Sequence, residues 1–402
     1  MKILHLLSQR PEQTGSGVFV REIIKEAYKK GHDNCLLCGI PSHKGTDLKE
    51  LNLSSVVFVK FESEKLPFPV PGMSDVMPYK NTVFGTMDEG KLSSYYKAFE
   101  EKITTAVESF KPDVILSHHL FIMTAIAKKL YPEIPLGVIS HGTDIRQYKN
   151  CDMVRDFVKK YCSKVDAALA LTKSHGDEIK DLFGMTENKI FICGSGINSN
   201  IFNYSQKENP SPVKILYAGK IARAKGVPWL LKSLSNVEND FELDLVGSGT
   251  EDEENVCFEL AKQLENKVTI HGKVEQKVLS VLMKKAHIFV FPSFFEGLPL
   301  VLLEALASGT RVVTTSLKGT RELFKKPSKY VDVIDIPTLE TIDSPFKKDE
   351  ILLEKCLTNS ISSQIKKAMK EKDVPISEID PITSNYTWEK VFKRIEIALG
   401  NL

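Results

Sequence analysis

The sequence has no apolar run long enough to cross a membrane and no excess of charge of one sign. Its 402 residues include 54 lysines and arginines against 52 aspartates and glutamates, a formal net charge of +2. Proteins that bind nucleic acids usually concentrate basic residues in a stripe or patch, so we expect no nucleic acid partner. No apolar stretch approaches the roughly 18 residues that indicate a membrane helix.

The sequence also lacks a cysteine pattern that would indicate disulfides or a metal. Its seven cysteines are scattered and odd in number, so we expect reduced, buried thiols. Cys35 and Cys38 form one C-x-x-C pair, but no second pair accompanies it to complete a zinc site. The N-terminal segment has only a short apolar stretch before it becomes polar. We therefore interpret it as a strand rather than a secretory signal and predict a cytoplasmic protein.

Short apolar runs alternate with amphipathic helical stretches, the pattern of α/β proteins with parallel sheets. Because the chain exceeds the usual size of one core, we predict an N-terminal domain over 1–206 and a C-terminal domain over 207–384. A terminal helix follows over 385–402, and the polar segment Ser205 to Lys214 is interpreted as a linker. The predicted strands are KILHLL, NCLLCGI, SVVFVKF, DVILSHH, LGVISHG, AALALT, IFICGSG, KILYAGK, FELDLVG, KVTIHGK, HIFVFPS and RVVTTS.

An irregular stretch lies between Gly39 and about Leu92, where this alternation weakens. Its central part, LPFPVPGMSDVMPYKNTVFG, is rich in proline and aromatic residues. Long insertions inside compact domains are usually functional or disordered. The aromatic and methionine side chains argue against disorder, so we predict an ordered loop.

The strongest functional motif is the segment FPSFFEGLPLVLLEALASGTRVVTT. A predicted strand ends near Pro292. A predicted helix begins at Pro299 and stops at Gly309, since helices favour proline at the first helical position and glycine just past the last. Free backbone N–H groups at a helix N-terminus form a ready site for phosphate. Here the free backbone N–H groups would be those of Gly297, Leu298, Leu300 and Val301.

Two glutamates flank this helix start. Glu296 lies at the end of the strand, and Glu304 interrupts the apolar run LPLVLLEALA. Glu304 is either a partly solvated helix residue or a buried carboxylate, which is costly without a partner such as the hydroxyl groups of a ribose. Eight residues of helix span about 12 Å, whereas glycosidase carboxylates lie about 5–9.5 Å apart. The spacing therefore disfavours a glycosidase pair.

A second motif, ILYAGKIARAKG, places three cations between Gly219 and Gly226. Lys220, Arg223 and Lys225 lie on a predicted strand-to-helix turn, where they would neutralise a diphosphate and assist its departure. A basic loop of this kind is in many proteins simply solvated. Its position at the carboxyl end of a strand, where α/β sheets bind ligands, favours the functional interpretation.

The turn Gln13 to Gly17 (QTGSG) joins the first predicted strand to a helix predicted from Val18 to Lys30. Gly15 and Gly17 would let a substrate approach the backbone closely. The turn does not match the G-x-G-x-x-G pattern of dinucleotide-binding proteins, so we expect no NAD site.

Three of the nine histidines, His118, His119 and His141, fall at the ends of predicted strands. His141 lies in the segment ISHGTDIRQ, with Asp144 and Arg146 close behind it. Histidine is the most common general acid or base of enzymes, but a histidine at a strand end is also often structural. Both interpretations of His141 stay open at this point.

Together these motifs resemble those of the retaining glycosyltransferases of family four, which have the GT-B fold. The motifs occur in the family's order over nearly the whole chain. The corresponding residues are Gly15 and Gly17 for the glycine-rich first loop, His141–Asp144 for the H-G-T-D segment, Gly219, Lys220, Lys225 and Gly226 for G-R-x-x-x-x-K-G, and Glu296 and Glu304 for E-x7-E. The resemblance implies two Rossmann-like domains facing a central cleft, with the helix around Trp388 crossing back to the N-terminal domain.

The resemblance also implies a reaction, namely transfer of a hexose-type sugar from a nucleotide-diphosphate sugar to a hydroxyl acceptor. Retention of configuration is implied, without a bound metal or cofactor. Lys220 and Lys225 would hold the diphosphate, and Glu304 would bind the ribose. Glu296 would contact the donor sugar, and His141 would lie close to the reacting centre.

Further donor contacts follow from the same resemblance. The backbone of Lys273 and Val274 would meet the base, and Gly15 and Gly17 would shape the pocket from the other domain. The acceptor would be a glycan, a lipid or a small molecule, and the irregular insertion would shape its side of the pocket. A lipid acceptor would bring the protein to the inner face of the membrane. The remaining predicted donor contacts are Gly219, Arg223, Gly297, Leu298, Pro299, Leu300 and Val301.

The sequence departs from the family's pattern at two places. Lys220 replaces the usual arginine of the phosphate loop, which keeps the charge but loses bidentate geometry. Leu298 and Pro299 replace the usual Phe-Gly after the first Glu-Gly, which changes the backbone donors of that turn.

Two other classes of function fit parts of the pattern. A nucleotide-sugar epimerase or a phosphorylase could share the architecture, but an epimerase needs no acceptor pocket, and no lysine site for pyridoxal phosphate stands out. A catalytically silent scaffold that binds nucleotide sugars would be expected to lose charge at the motif positions. All four charges, at Lys220, Lys225, Glu296 and Glu304, are present.

Overall fold

A computed structural model describes residues 1–12, 14–75, 77–341 and 344–402. The chain divides into two compact units, Met1–Gly196 with Trp388–Leu402, and Ile197–Thr387. The first unit contains a seven-stranded sheet and the second a six-stranded sheet. The predicted α/β class with two Rossmann-like domains is confirmed.

In the first unit, every ladder of the main sheet is parallel, in the order β3-β2-β1-β6-β7-β8-β9. Nearly every residue of its central strands is buried, as expected for parallel strands covered on both faces. The strands are β1 (Lys2–Leu7), β2 (Asp33–Pro41), β3 (Ser55–Phe61), β4 (Pro71–Gly72), β5 (Thr82–Val83), β6 (Val114–His118), β7 (Leu136–Ile139), β8 (Ala167–Ala170) and β9 (Ile190–Ile192). The helices are α1 (Gly15–Lys29), α2 (Glu89–Phe110), α3 (Ile122–Leu130), α4 (Thr143–Asn150), α5 (Asp152–Cys162) and α6 (Lys173–Phe183).

The irregular insertion packs into the core of the first unit, in agreement with the predicted ordered loop. It includes the short parallel pair β4 and β5. Its apolar side chains join one core cluster with strand β3 and helix α2. Those buried side chains are Leu66, Phe68, Val70, Met73 and Phe84.

Helix α1 begins three residues before the predicted start at Val18. Thr14 caps the helix, because its Oγ1 accepts a hydrogen bond from the N–H of Gly17 at 2.9 Å. Gly15 and Gly17 therefore lie in the first turn of the helix rather than in the preceding loop. The predicted start at Val18 is wrong because this cap draws the glycines into the helix; Gln13 lies outside the described residues.

In the second unit, the strand order is β12-β11-β10-β13-β14-β15. The strands are β10 (Val213–Ala218), β11 (Phe241–Val246), β12 (Val268–Gly272), β13 (Ile288–Phe291), β14 (Arg311–Thr315), β15 (Val331–Ile334), β16 (Leu339–Thr341) and β17 (Ser344–Pro345). The helices are α7 (Val227–Leu234), α8 (Glu251–Lys262), α9 (Gln276–Lys285), α10 (Leu300–Ala307), α11 (Lys318–Leu323), α12 (Lys347–Lys370) and α13 (Ile376–Thr383). The strand order reverses between β10 and β13, which is where open α/β sheets bind ligands.

The terminal helix α14 (Trp388–Gly400) packs on the first unit, as the resemblance implies. The Trp388 and Phe19 rings meet edge to face, with centroids 5.1 Å apart. Gly196 leaves room for the indole, since a Cβ there would lie 2.4 Å from Trp388.

Two expectations from composition have clear outcomes. Six of the seven cysteines are buried and Cys356 is half-buried, and all are free thiols, as predicted. Segment Ser205 to Lys214, interpreted as a linker, belongs to the second unit, and its Lys207 is buried.

Among the described residues, no helix combines the length and apolarity needed to cross a bilayer.

Candidate functional site

The turns after β10 and β11 touch each other at the carboxyl edge of the second sheet. The Gly219 N–H donates to the carbonyl oxygen of Val246 at 3.0 Å. Gly247 has a φ of +136°, and a Cβ there would lie 1.7 Å from the Gly219 carbonyl oxygen. Sequence analysis missed Gly247, although the small residues of GSG at the end of the predicted strand FELDLVG were an available signal. Glycine at position 247 therefore lets the two turns touch backbone to backbone.

The loop between β10 and α7, residues 219–226, carries Lys220 and Lys225 and is called the lysine loop. It is held against the end of β13. Gly226 has a φ of +71°, and a Cβ there would lie 2.1 Å from the carbonyl oxygen of Pro292. The N–H of Phe294 donates to the carbonyl oxygen of Ala224 at 3.0 Å. These contacts bring together the two strongest sequence motifs, which lie far apart in the chain.

Lys225 and Glu296 form an ion pair across these two turns. The Lys225 Nζ lies 2.6 Å from Glu296 Oε1 and donates to the carbonyl oxygen of Phe295 at 3.1 Å. Ser293 Oγ also donates to Glu296 Oε1, at 3.3 Å. Both charged side chains stay about one-fifth exposed, so a ligand can reach them.

The other two predicted cations of this loop behave differently. Lys220 is exposed, and no carboxylate among the described residues pairs with it. The Arg223 guanidinium lies over the Trp229 ring, 5.0 Å from its centroid, and donates to Ser344 Oγ at 3.1 Å. The structure therefore brings Lys225 to Glu296 but directs Arg223 to a different set of contacts.

Helix α10 begins at Leu300 and ends at Ala307, whereas the sequence predicted a helix that begins at Pro299 and has Gly309 just past its last residue. Pro299 is the N-cap with a ψ of 85°, so its backbone is not helical and the prediction of proline at the first helical position is wrong. Gly309, with a φ of +80°, directly follows the C-cap Ser308, so the predicted glycine just past the helix end is confirmed. Within the described part of the chain, the N–H groups of Leu300 and Val301 donate to no carbonyl oxygen.

Only backbone groups of this helix start would face a ligand. Pro299 is buried, and the side chains of Leu298 and Leu300 pack against a cluster around Leu303. The side chain of Val301 packs against the main core of the unit. An anion at the N-terminus of α10 would therefore meet N–H groups at the positive end of the helix dipole.

Glu304 lies on α10, one turn beyond these N–H groups. Its side chain is half-buried, and burial raises its carboxyl pKa to about 7. No group in the described ranges hydrogen-bonds its carboxylate. A polar group buried without a partner is costly, so the residue is suited to a ligand that supplies hydrogen-bond donors.

Two further segments adjoin this edge of the sheet. A Cβ at Gly319, which sequence analysis missed, would lie 2.0 Å from the carbonyl oxygen of Gly297. In the sequence, such a contact between two backbones is marked only by the glycine itself. Lys273 is exposed and Val274 is half-buried in the turn between β12 and α9, and the Gly247 N–H donates to the carbonyl oxygen of Gly272 at 2.8 Å.

In the first unit, His141 lies in a cluster of rings at the ends of β6 and β7. Its Nε2 lies 3.4 Å from Nδ1 of His118, and its ring centroid lies 4.8 Å from that of His119. Asp144 joins the two turns, since its Oδ1 accepts from the His141 N–H at 3.2 Å and its Oδ2 from the Leu120 N–H at 2.7 Å.

Burial controls the charge of these histidines. It lowers the pKa of His118 and of His141 well below the usual value of 6.5, and that of His119 to about 3. At neutral pH the imidazoles are therefore uncharged and offer one hydrogen-bond donor and one acceptor each. Among the residues that the structure describes, no cluster of three or more histidine, cysteine, aspartate or glutamate side chains could hold a metal ion.

The glycines predicted near this site have structural explanations of their own. A Cβ at Gly17 would lie 2.8 Å from Thr14 Oγ1 and 2.9 Å from the carbonyl carbon of Pro11. The tight turn into α1 therefore requires glycine at this position. Gly15 is exposed and a Cβ there would meet nothing within 4 Å, so space for a ligand exists beside it.

Two family models match the chain. The model described as Glycosyltransferase Family 4 matches residues 14–200, and the one described as Glycosyl transferases group 1 matches residues 212–334. The first match includes His141, and the second includes the Lys225–Glu296 pair and Glu304.

Individual proteins agree with these matches. A glycosyltransferase named for teichuronic acid biosynthesis, TuaC of Bacillus subtilis, is 25% identical over 345 residues, covering 81% of this chain and 84% of its own. Glycogen synthase of Mycobacterium tuberculosis is 24% identical over 225 residues, covering 53% of this chain and 54% of its own. The chain spans about half the length of several of the curated relatives it matches.

Solved structures show the same fold at low identity. Sucrose-phosphate synthase from Thermosynechococcus elongatus has a TM-score of 0.69 at 14% identity, covering 100% of this chain and 99% of that one. Anabaena HepE, solved in complex with UDP and glucose, has a TM-score of 0.65 at 16% identity, with both chains covered fully. With both halves matched by family models and the fold shared over its whole length, the chain belongs to the family-four glycosyltransferases of the GT-B fold.

Proposed function

We propose that this protein transfers a hexose from a nucleotide-diphosphate sugar to a hydroxyl acceptor, with retention of configuration and without a metal ion. The observation that carries the proposal is the ion pair between Lys225, in the turn after β10, and Glu296, in the turn leading to α10. Glu304, with no partner among the described residues, follows on the same helix. A cation, a helix N-terminus and an unpaired carboxylate together fit the diphosphate and ribose of such a donor.

The diphosphate would be held by positive charge from two sources. Lys220 and Lys225 would supply ammonium groups, and the N–H groups of Leu300 and Val301 would supply hydrogen bonds at the helix N-terminus. As the bond to the sugar breaks, negative charge grows on the leaving phosphate, and fixed cations stabilise it. These groups would take the part that a bound cation plays in other transferases.

The rest of the donor would contact the neighbouring turns. Ribose hydroxyl groups would donate to the Glu304 carboxylate, and the hexose would lie near Glu296. The backbone at Lys273 and Val274, in the turn between β12 and α9, would meet the base. In the first unit, neutral His141 would hydrogen-bond the donor or acceptor near the reacting carbon.

The relatives suggest which substrates to test. TuaC and glycogen synthase are named for polymers of sugars, and the HepE structure contains UDP and glucose. We therefore propose a UDP-hexose as the first donor to test and a glycan as the first acceptor. A cytoplasmic location, and contact with the inner membrane face if the acceptor is a lipid, stay predictions.

The melting temperature of the purified protein, measured against a panel of UDP-, GDP- and ADP-sugars with NAD as control, tests the proposal. A ligand that binds only the folded state raises this temperature, by an amount equivalent to about 2.7 kcal/mol at a concentration one hundred times its Kd. We expect a shift with one nucleotide sugar, unchanged by EDTA. A panel without any shift, together with no release of nucleotide diphosphate in the presence of glycan acceptors, would contradict the proposal.

A further inference from the structure

Lys207 is a buried lysine whose ammonium is surrounded by oxygen atoms. Lys207 is only 2% exposed. Its Nζ lies 2.9 Å from the carbonyl oxygen of Met283, 3.0 Å from that of Lys284 and 2.9 Å from that of Ser308. The fourth oxygen, Thr310 Oγ1, lies 2.9 Å away. Since an ammonium has three N–H groups, all of them are used.

The acceptors lie at the C-terminal ends of two helices. Met283 and Lys284 belong to the last turn of α9, and Ser308 directly follows α10. The last carbonyl groups of a helix have no partners within it and carry the negative end of its dipole. The Lys207 ammonium therefore links the C-termini of α9 and α10 through hydrogen bonds and charge.

The segment that carries Lys207 is itself anchored. The Lys207 N–H donates to Asp373 Oδ1 at 2.7 Å, and Thr310 Oγ1 donates to the Met283 carbonyl oxygen at 2.7 Å. Burying an ammonium is costly, but its removal would leave the buried carbonyl oxygens of Met283, Lys284 and Ser308 without this donor. The arrangement therefore fixes the positions of these helix ends relative to each other.

Both linked helices begin at the proposed donor site. The N-terminus of α10 carries the N–H groups of Leu300 and Val301 and, one turn on, Glu304; α9 follows Lys273 and Val274. An eight-residue helix moves as a rigid rod of about 12 Å, so a shift at its C-terminus displaces its N-terminus. We infer that Lys207 is a positioning residue for the nucleotide-sugar site, an inference that rests on the proposed function.

Lys207→Met and Lys207→Arg test this inference, because methionine keeps much of the volume without a donor and arginine keeps the charge and donors. Lys128→Met is the matched control: Lys128 is 6% exposed in the first unit, and its Nζ donates to the Pro132 carbonyl oxygen at 2.9 Å and to Asp166 Oδ2 at 2.7 Å. Both methionine variants remove a buried ammonium, so we expect both to have a lower melting temperature than the wild type.

For the UDP-, GDP- or ADP-sugar that binds the wild type, we expect Lys207→Met to raise the donor KM about tenfold while the acceptor KM stays unchanged. Lys207→Arg restores the donor KM, and Lys128→Met leaves it unchanged. Equal donor KM values in the two methionine variants, at a temperature where circular dichroism shows both folded, would overturn the inference.

Two additions keep the test decisive. If Lys207→Met does not fold, Thr310→Val removes one acceptor at nearly constant volume, and an unchanged donor KM in that variant also overturns the inference. Hydrogen exchange at the amides of α10 reports its anchoring without any ligand, and we expect faster exchange in Lys207→Met than in Lys128→Met. A wild-type protein that binds no nucleotide sugar contradicts the proposed function instead, while exchange still decides whether Lys207 holds α10.

Discussion

The ammonium of Lys225 lies 2.6 Å from the carboxylate of Glu296, although the two residues are 71 positions apart. The turn after β10 carries the lysine and the turn after β13 the glutamate, and these two strands are neighbours in the sheet. The pair therefore depends on the strand order that places a ligand site between β10 and β13. A diphosphate arriving there would compete with Glu296 for the lysine.

Replacing Lys225 by methionine should reduce turnover strongly while the fold is retained. The substitution removes a charge that would stabilise the leaving diphosphate, an effect worth about 100-fold or more in kcat/KM for comparable groups. Steady-state rates at limiting donor concentration measure the loss, and Glu296→Ala should produce a loss of similar size.

Lys232→Met is the matched control for this prediction. Lys232 pairs with Glu350 at 3.5 Å and with Glu354 at 3.4 Å in the same unit, so the substitution also removes a half-exposed lysine from an ion pair. We expect its kcat/KM to stay near the wild-type value. Wild-type turnover in both Lys225→Met and Glu296→Ala would exclude this turn as the donor site.

Donor binding should become tighter as the pH rises through neutrality. Burial raises the pKa of Glu304 from 4.5 to about 7, so the carboxyl is partly protonated below pH 7 and ionised above it. Ribose hydroxyl groups donate hydrogen bonds and favour the ionised form. The melting-temperature shift caused by a saturating UDP-sugar should therefore be larger at pH 8 than at pH 6, and Glu304→Gln should lose this difference.

The same residue predicts a change in stability without ligand. Because its folded pKa is raised, the native state binds more protons than the unfolded state between pH 4.5 and about 7. The contribution of Glu304 to stability therefore falls as the pH rises through this window and is constant above it. Urea unfolding at pH 8 should show Glu304→Gln to be more stable than the wild type, by about 1–3 kcal/mol. A less stable glutamine variant at pH 8 would show that the carboxylate has a partner.

The strands of the fold were the part most accessible from sequence. Buried parallel strands are continuous apolar runs that end at glycine, proline or polar residues, and β10 and β13 both show this pattern. The strand β15 (Val331–Ile334) was missed because polar Asp332 interrupts its short apolar run. Both helix starts at the predicted sites were misplaced by one to three residues, since Thr14 and Pro299 act as N-caps.

Residues of the candidate site could be proposed from sequence where charge and motif spacing mark them, and were missed where two backbones meet. Glu296 and Lys225 carry charges in recognisable patterns, so the sequence could name them as candidate site residues, whereas only the structure shows their ion pair. Gly247 and Gly319 serve only to let two loops touch, which depends on tertiary structure alone. Lys207 lies in a polar segment that composition assigns to solvent, and only the structure shows the carbonyl groups around it.

Gly226→Ala should destabilise the lysine loop. Gly226 has a φ of +71°, and its new Cβ would lie 2.1 Å from the carbonyl oxygen of Pro292. A left-handed backbone costs an alanine about 1 kcal/mol or more, and the clash displaces the loop from β13. The melting temperature should fall and the donor KM should rise. Gly45→Ala, where a Cβ meets nothing within 4 Å, is the control, and equal behaviour of the two variants would contradict the described turn.

The first unit should lose stability as the pH falls below neutrality. Burial lowers the pKa of His119 from 6.5 to about 3, so below pH 6.5 the unfolded state binds a proton that the native state does not. The contribution of His119 to stability is therefore complete above pH 6.5 and falls by about 1.4 kcal/mol for each pH unit below it. His118 and His141, whose pKa values are also lowered by burial, add to this effect.

His119→Asn isolates one of these protons. Asparagine tolerates the positive φ of 79° at this position and does not titrate, so its free energy of unfolding should fall less steeply between pH 6.5 and 5 than that of the wild type. His43→Asn, in which a histidine with a 67% exposed side chain is replaced, is the control for the substitution itself. If urea unfolding gives the same slope for His119→Asn and the wild type, His119 takes up its proton at the same pH in the native and unfolded states, which would contradict the lowered pKa.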